Sequence, residues 1–179
     1  MAFVRSVTVT APSVDGKFTF ESMIGLGFDV HRLAEGESLW LGGIEIPSEQ
    51  GTVAHSDGDV ILHALVDALL GALSLGDIGE HFPDSDPQWK GASSRVFVEH
   101  AVKLVQEEGY HIVNIDATLV LQSPKIGPYK MAMRENIAAL CGLPVNRVSV
   151  KATTSEHLGY AGRGEGVHAW VVCEVQPET

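Results

Sequence analysis

The stretch FDVHRL, Phe28 to Leu33, places an aspartate and a histidine on either side of a single valine inside an apolar run. On a β-strand successive side chains alternate between faces, so Asp29 and His31 project together while Leu26, Phe28 and Val30 lie opposite. Farther on, Gly58 to Leu75 is apolar and helical in pattern except at Asp59, His63, Asp67 and Ser74. The first three recur every fourth residue, on one helix face. A water-facing stripe would favour Lys, Glu or Gln, which form helices better than Asp or His. Asp29, His31 and His63 together are a two-histidine, one-carboxylate set, enough for a zinc site with its fourth position open to a ligand. Asp59 or Asp67 could then fix an imidazole tautomer. Two plainer alternatives stand beside this: a polar strand face turned to water, and a half-buried His63 satisfied locally. Spacing alone does not bring the strand and the helix together.

The elements that must position these residues can be read in outline. MIGLGFDVHRL reads as a strand, SLWLGG and IEIP as a hairpin around Gly42 and Gly43, and SEQGTVAHSDGD as a polar loop leading into the helix. A second helix starts at Ser93 or Ser94, turns Phe97, Val98, Ala101, Val102, Leu104 and Val105 inward and stops at Gly109. HIVNIDATLVLQ alternates, with Val113, Ile115, Ala117, Leu119 and Leu121 on one face. A third helix, about 128–141, precedes the strand RVSVKATT, the turn GRGEG and the strand VHAWVVCEV. This order predicts an α+β layer fold with a mixed sheet.

Composition narrows the function. The chain has 179 residues and a net charge of −11, without the basic footprint that nucleic acid or an anionic membrane requires. Cys141 and Cys173 are too few for a disulfide framework and sit in apolar company, which fits a reducing cytoplasm. No apolar run approaches membrane-spanning length, and residues 1–22 lack a signal-peptide pattern. That Ser/Thr-rich segment reads as an N-terminal extension or an added strand pair, with a single domain over 23–179.

Five blocks carry a resemblance: GFDVH, AHSDGDVILHALVDALLGAL, LGDIGEHFPDSDP, KATTSE and GRGEG. From about Met23 to Val175 the chain resembles the 2-C-methyl-D-erythritol 2,4-cyclodiphosphate synthase family of the non-mevalonate isoprenoid pathway. The resemblance implies a ferredoxin-like, mixed four-stranded sheet with helices on one face and a small β-hairpin. It also implies a homotrimer with sites between neighbouring subunits. The implied reaction converts 4-diphosphocytidyl-2-C-methyl-D-erythritol 2-phosphate to the cyclic diphosphate and CMP, the activity of a phosphorus–oxygen lyase.

Position by position, Asp29, His31 and His63 match the family's zinc ligands, and Glu156 matches the ligand of a second ion, magnesium or manganese. His55 and Thr154 match groups that stabilise the transition state, and Ser56 accompanies His55 at the phosphates. Val30, between the two ligands of its strand, falls in the substrate-binding set. Asp77, Ile78, Gly79, Phe82, Pro83, Asp84, Ser85 and Asp86 match the segments around the methylerythritol hydroxyls, although PDSDP is also a turn sequence in any protein. Leu121, Gln122, Ser123, Pro124, Lys125, Ile126 and Gly127, with Thr153, Thr154, Ser155, Glu156, Tyr160 and Arg163, correspond to the cytidine and phosphate side, contributed by an adjacent subunit. Lys125 and Arg163 also fit ordinary surface charges.

The chain departs from the family at Leu26, where a polar residue is common, and at His168 and Trp170, where smaller groups face a central trimer cavity that holds isoprenoid diphosphates. Those side chains argue against such a ligand here. Some relatives are fused behind a cytidylyltransferase domain, for which the segment before Met23 is too short, so a monofunctional chain is expected. Two other classes use the same ligands: a zinc-dependent phosphodiesterase or phosphatase, and a trimeric binding module with a structural metal. The second normally needs a fourth protein ligand, and His100, His111 and His157 lie in unrelated segments.

Overall fold

A computed structural model describes residues 22–178, so the N-terminal segment 1–21 lies outside the described residues. In chain order the elements are β1 (Met23–Glu35), β2 (Leu39–Leu41), β3 (Ile44–Ile46), β4 (Gln50–Val53), α1 (Val60–Ala72) and α2 (Ile78–His81). Then follow α3 (Ser94–Glu107), β5 (Tyr110–Val120), α4 (Lys130–Cys141), β6 (Val148–Thr153), α5 (Gly159–Gly162) and β7 (Gly166–Pro177). Among the described residues a mixed sheet runs in the order β4, β1, β7, β5, β6, parallel only between β5 and β6. β2 and β3 form the expected hairpin.

Among the described residues the sheet has five strands where four are expected. The fifth, β4, lies inside the stretch read as a polar loop, and its four residues pair antiparallel with the end of β1, from Arg32 to Glu35. It is too short and too polar to show a period of two. A second correction concerns β5: pairing with β7 skips Val113, and this bulge buries Ile112 instead. One extra residue reverses the alternation on its N-terminal side.

The two faces of β1 are unlike in an unusual direction. Leu26, Phe28 and Val30 face outward, with Leu26 47% exposed, and on the neighbouring strand Trp170 and Val172 do the same. The inward face is Gly25, Gly27, Asp29, His31 and Leu33. A Cβ added at Gly25 or Gly27 would stand 1.8 Å from the carbonyl oxygen of Ala68 or Ala64, respectively. The glycines therefore let α1 lie directly on the strand, a close approach that no side chain permits. That contact puts His63, one helical position before Ala64, beside Asp29.

α1 is buried along nearly its whole length, as a sequence apolar everywhere but His63 and Asp67 requires. It begins at Asp59, whose carboxylate accepts from the Ile61 and Leu62 amides at 3.1 Å and from the hairpin amides of Gly42 and Gly43 at 2.9 and 2.6 Å. One fully buried side chain thus caps the helix and anchors the hairpin. α4 ends at Gly142 in the left-handed conformation, φ 66°.

Candidate metal centre

Asp29, His31 and His63 converge. One ligand atom from each lies within 4.8 Å of the others. His63 Nδ1 is 3.1 Å from Asp29 Oδ2, and His31 Nε2 is 3.6 Å from the same oxygen. The solvent-facing alternative for Asp29 and His31 fails because their face is the one α1 covers. His31 Nδ1 lies 2.8 Å from the Val30 carbonyl, which can only accept, so Nδ1 carries the proton and Nε2 the lone pair. That Nε2 is buried without a hydrogen-bond partner among the described residues. A bare imidazole nitrogen, a carboxylate and a second imidazole nitrogen are donors that suit a divalent metal ion, and they fit one.

Electrostatics agree with a shared cation. Burial pushes the Asp29 carboxyl up, but the hydrogen bond from His63 and the charges of His31 and His63 outweigh it, and the net direction is down. Burial pulls His63 down, yet its bond to Asp29 and the charges of Asp29, Asp59 and Asp57 leave it raised. Without a metal, a proton on His63 occupies the place between the two groups.

The triad opens onto a cleft of about 490 Å³ lined also by Val53, Ala54, His55, Ser56, Ile78, Gly79, Phe82, Pro83, Asp84, Trp89 and Phe97. His55 Nε2 and Trp89 Nε1 are buried in its walls with no partner among the described residues, so with His31 the cleft has three polar atoms unsatisfied by them. Such groups normally take a water, an ion or a ligand as partner.

Neither Asp59 nor Asp67 fixes an imidazole, contrary to expectation. Asp59 is spent on backbone amides, and Asp67 accepts the Ile78 amide at 2.8 Å, which holds the Ile78–Gly79 part of the cleft wall in place. Asp77 and Asp86 cap short helical turns, at the Glu80 and Gln88 amides. Ser85 is exposed and outside the cleft lining, and the Val30 side chain points to the opposite sheet face.

A second cavity, about 500 Å³, is lined by Leu121, Gln122, Pro124, Lys125, Ile126, Gly127, Pro128, Lys130, Ala152, Thr153 and Thr154. It shares no residue with the first. Ser123, Ser155 and Glu156 stand outside its lining, and Thr154 Oγ1 donates to Glu156 Oε1 at 3.0 Å. Glu156 holds φ 51°, a left-handed conformation unusual for a residue with a side chain. Tyr160 and Arg163 join neither cavity: Tyr160 Oη is 2.8 Å from His168 Nδ1, and Arg163 is paired bidentately with Glu165. Within one chain, therefore, Thr154 and Glu156 do not meet His55 or the triad.

Trp89, Ser94 and Asp57 belong to the triad's surroundings but escaped the reading of the sequence. Trp89 follows a turn sequence and has no helical or strand period to mark it. Ser94 was legible only as a helix cap, although the helix starts there without a serine cap bond.

Comparison with known proteins places this geometry in a family. A model of the YgbB family matches residues 22–176. A protein of Trichlorobacter lovleyi named 2-C-methyl-D-erythritol 2,4-cyclodiphosphate synthase is 54% identical over 155 residues, 87% of this chain and 99% of that protein. A bifunctional enzyme IspD/IspF of Novosphingobium aromaticivorans is 55% identical over 172 residues, 96% of this chain but 45% of that protein, so the chain spans less than half of that relative. Among solved structures, a CDP-bound form of 2C-methyl-D-erythritol-2,4-cyclodiphosphate synthase has a TM-score of 0.79 at 44% identity, covering 85% of this chain and 99% of that one. The CDP complex of IspF from Plasmodium falciparum reaches 0.78 at 32% identity, over 88% and 97% of the two chains. The chain belongs to the YgbB family, that of the 2-C-methyl-D-erythritol 2,4-cyclodiphosphate synthases.

Proposed function

We propose that the protein converts 4-diphosphocytidyl-2-C-methyl-D-erythritol 2-phosphate to 2-C-methyl-D-erythritol 2,4-cyclodiphosphate and CMP. The observation that carries this is the Asp29, His31 and His63 cluster at the floor of a cleft with unsatisfied donors. An oxygen of the substrate's own 2-phosphate attacks the β-phosphorus, and the bond from that phosphorus to the oxygen bridging it to the α-phosphate breaks. The protein supplies no nucleophile; its work is to hold two anionic groups in line.

Asp29, His31 and His63 would hold zinc and Glu156 a magnesium or manganese ion, and the two ions would supply the charge neutralisation that a chain of net charge −11 otherwise lacks. His55, with its Nε2 unpartnered in the cleft wall, donates to the phosphate oxygens, and Ser56 supports it. Asp84 and the backbone at Ile78 and Gly79 receive the methylerythritol hydroxyls. The loop Leu121–Gly127 with Thr153, Thr154 and Ser155 takes the cytidine. The CDP-bound relatives support a cytidine ligand.

The assembly we infer is a homotrimer of ferredoxin-like subunits. Leu26, Phe28, Val30, Trp170 and Val172 leave one apolar sheet face bare, and a second and third copy would cover it. That assembly would also bring Thr154 and Glu156 of one subunit to the triad of the next. Tyr160 and Arg163, beside this face and its His168 and Trp170, would act at the junction. No helix among the described residues is long and apolar enough to cross a membrane, and the buried free thiols suit a cytoplasmic setting.

The test is incubation with the cytidylyl substrate and magnesium, with and without a chelator, followed by phosphorus NMR. CMP with a cyclic diphosphate, lost on chelation, is expected. CMP with a linear product would make the protein a hydrolase, and no turnover by zinc-loaded protein would leave a binding module.

A further inference from the structure

His63 is held from behind as well as from the cleft. Ser94, fully buried at the first turn of α3, has its Oγ 2.8 Å from His63 Nε2 and donates its hydroxyl proton to Asp57 Oδ1. Asp57 Oδ2 also takes the Ser94 backbone amide at 2.9 Å. A hydroxyl has one proton to give, and a carboxylate is a stronger acceptor than a neutral imidazole nitrogen. With that proton committed to Asp57, Ser94 Oγ can only accept, and the N–H facing it must be His63 Nε2–H. Ser56 Oγ lies on the same side, 3.1 Å from Nε2, and already accepts the Gly58 amide.

The consequence appears at the other ring nitrogen. If Nε2 carries the proton of a neutral ring, Nδ1 is a bare lone pair facing Asp29 Oδ2 at 3.1 Å. Two acceptors at that distance repel unless a cation lies between them. Asp57 also helps to hold the loop that carries His55: its amide donates to the Ala92 carbonyl at 3.0 Å, next to the bond from the Gly91 amide to the His55 carbonyl at 2.7 Å.

We propose that Asp57 and Ser94 are positioning residues that lock His63 in its Nε2–H form, so that Nδ1 is the nitrogen that binds the divalent ion. This rests on the metal-centre reading above. Neither residue touches the ion or the substrate; both act through the imidazole.

The test compares wild-type protein with Ser94→Ala, each stripped of metal and titrated with zinc, together with nitrogen-15 NMR of the histidine rings in the zinc-loaded state. Wild-type protein is expected to show a slowly exchanging proton on His63 Nε2 and zinc on Nδ1. Ser94→Ala is expected to bind zinc about 10- to 100-fold more weakly, with that proton exchanging fast. Equal zinc affinity and an unchanged Nε2–H in folded Ser94→Ala would overturn the proposal. So would zinc bound through Nε2 in the wild-type protein, a result that decides the matter even if the variant does not fold. Wild-type protein that takes up no zinc at His63 would overturn the metal centre itself, a distinguishable outcome.

Discussion

The cleft around Asp29, His31 and His63 is built from inside the chain, whereas the cavity beside Leu121–Gly127 is edged by groups that face outward. In the cleft both imidazoles of the triad are held on the far nitrogen, His31 by the Val30 carbonyl and His63 by Ser94. At the other region Thr154 and Glu156 are bonded to each other, and the Thr153 and Ser155 hydroxyls donate to nearby backbone carbonyls. The difference teaches a division of labour. Groups that must fit an ion to a fraction of an ångström are fixed by packing within one subunit. In the proposed trimer, groups that close over a ligand would be left for assembly to position.

If that division is right, damage to the inner region should be the more severe. His63→Ala is expected to lower kcat/KM by about 10³-fold or more and to abolish zinc retention while the protein stays folded; metal analysis and circular dichroism check it. Retained turnover without bound zinc would break the comparison. Glu156→Gln should lower turnover by about 10²-fold with zinc content unchanged, because it removes an outward group and leaves the cleft intact.

Stability sharpens the same contrast. Gly27→Ala would drive a methyl group into the Ala64 carbonyl and lift α1 from β1, at a cost of about 3 kcal/mol or more, measurable by denaturant unfolding. Asp59→Ala leaves four amides without their acceptor and should cost about 2–4 kcal/mol.

These positions also show what the sequence could and could not reveal. The hairpin, the three long helices and the alternation of β1 follow from periodicity and turn residues. So does the shared face of Asp29 and His31. Their meeting with His63 does not, because it depends on how closely α1 approaches the sheet, and glycine spacing in a strand has no unique meaning. The outward apolar face of β1 was equally hidden: period two separates two faces without saying which is inside. β4 is too short for any period, and Ser94 lies 31 residues from the histidine it supports. Residue order gave no route to that contact.

pH offers a smaller effect. In metal-free protein the lowered Asp29 contributes stability that is present above its ordinary pKa of 3.8 and lost as pH falls through its depressed value. The raised His63 contributes stability that is present below 6.5 and lost as pH rises through its elevated value. Tm of the metal-free protein should therefore fall on both sides of that window, by ~2–4 °C for each kcal/mol lost, and Asp29→Asn should flatten both limbs. Smallest of all, Cys141 and Cys173, buried and pushed up to about 12, should resist alkylation at pH 8 until the protein unfolds.

The most direct measurement of the division between subunits mixes two inactive variants, His63→Ala and Thr154→Ala, by co-expression and follows CMP release. In a cyclic assembly with each site shared by neighbours, random mixing creates one intact site in about four, so about a quarter of wild-type activity should return. Activity no higher than the sum of the two variants alone would contradict the account, and would place all the working groups of each site within a single chain.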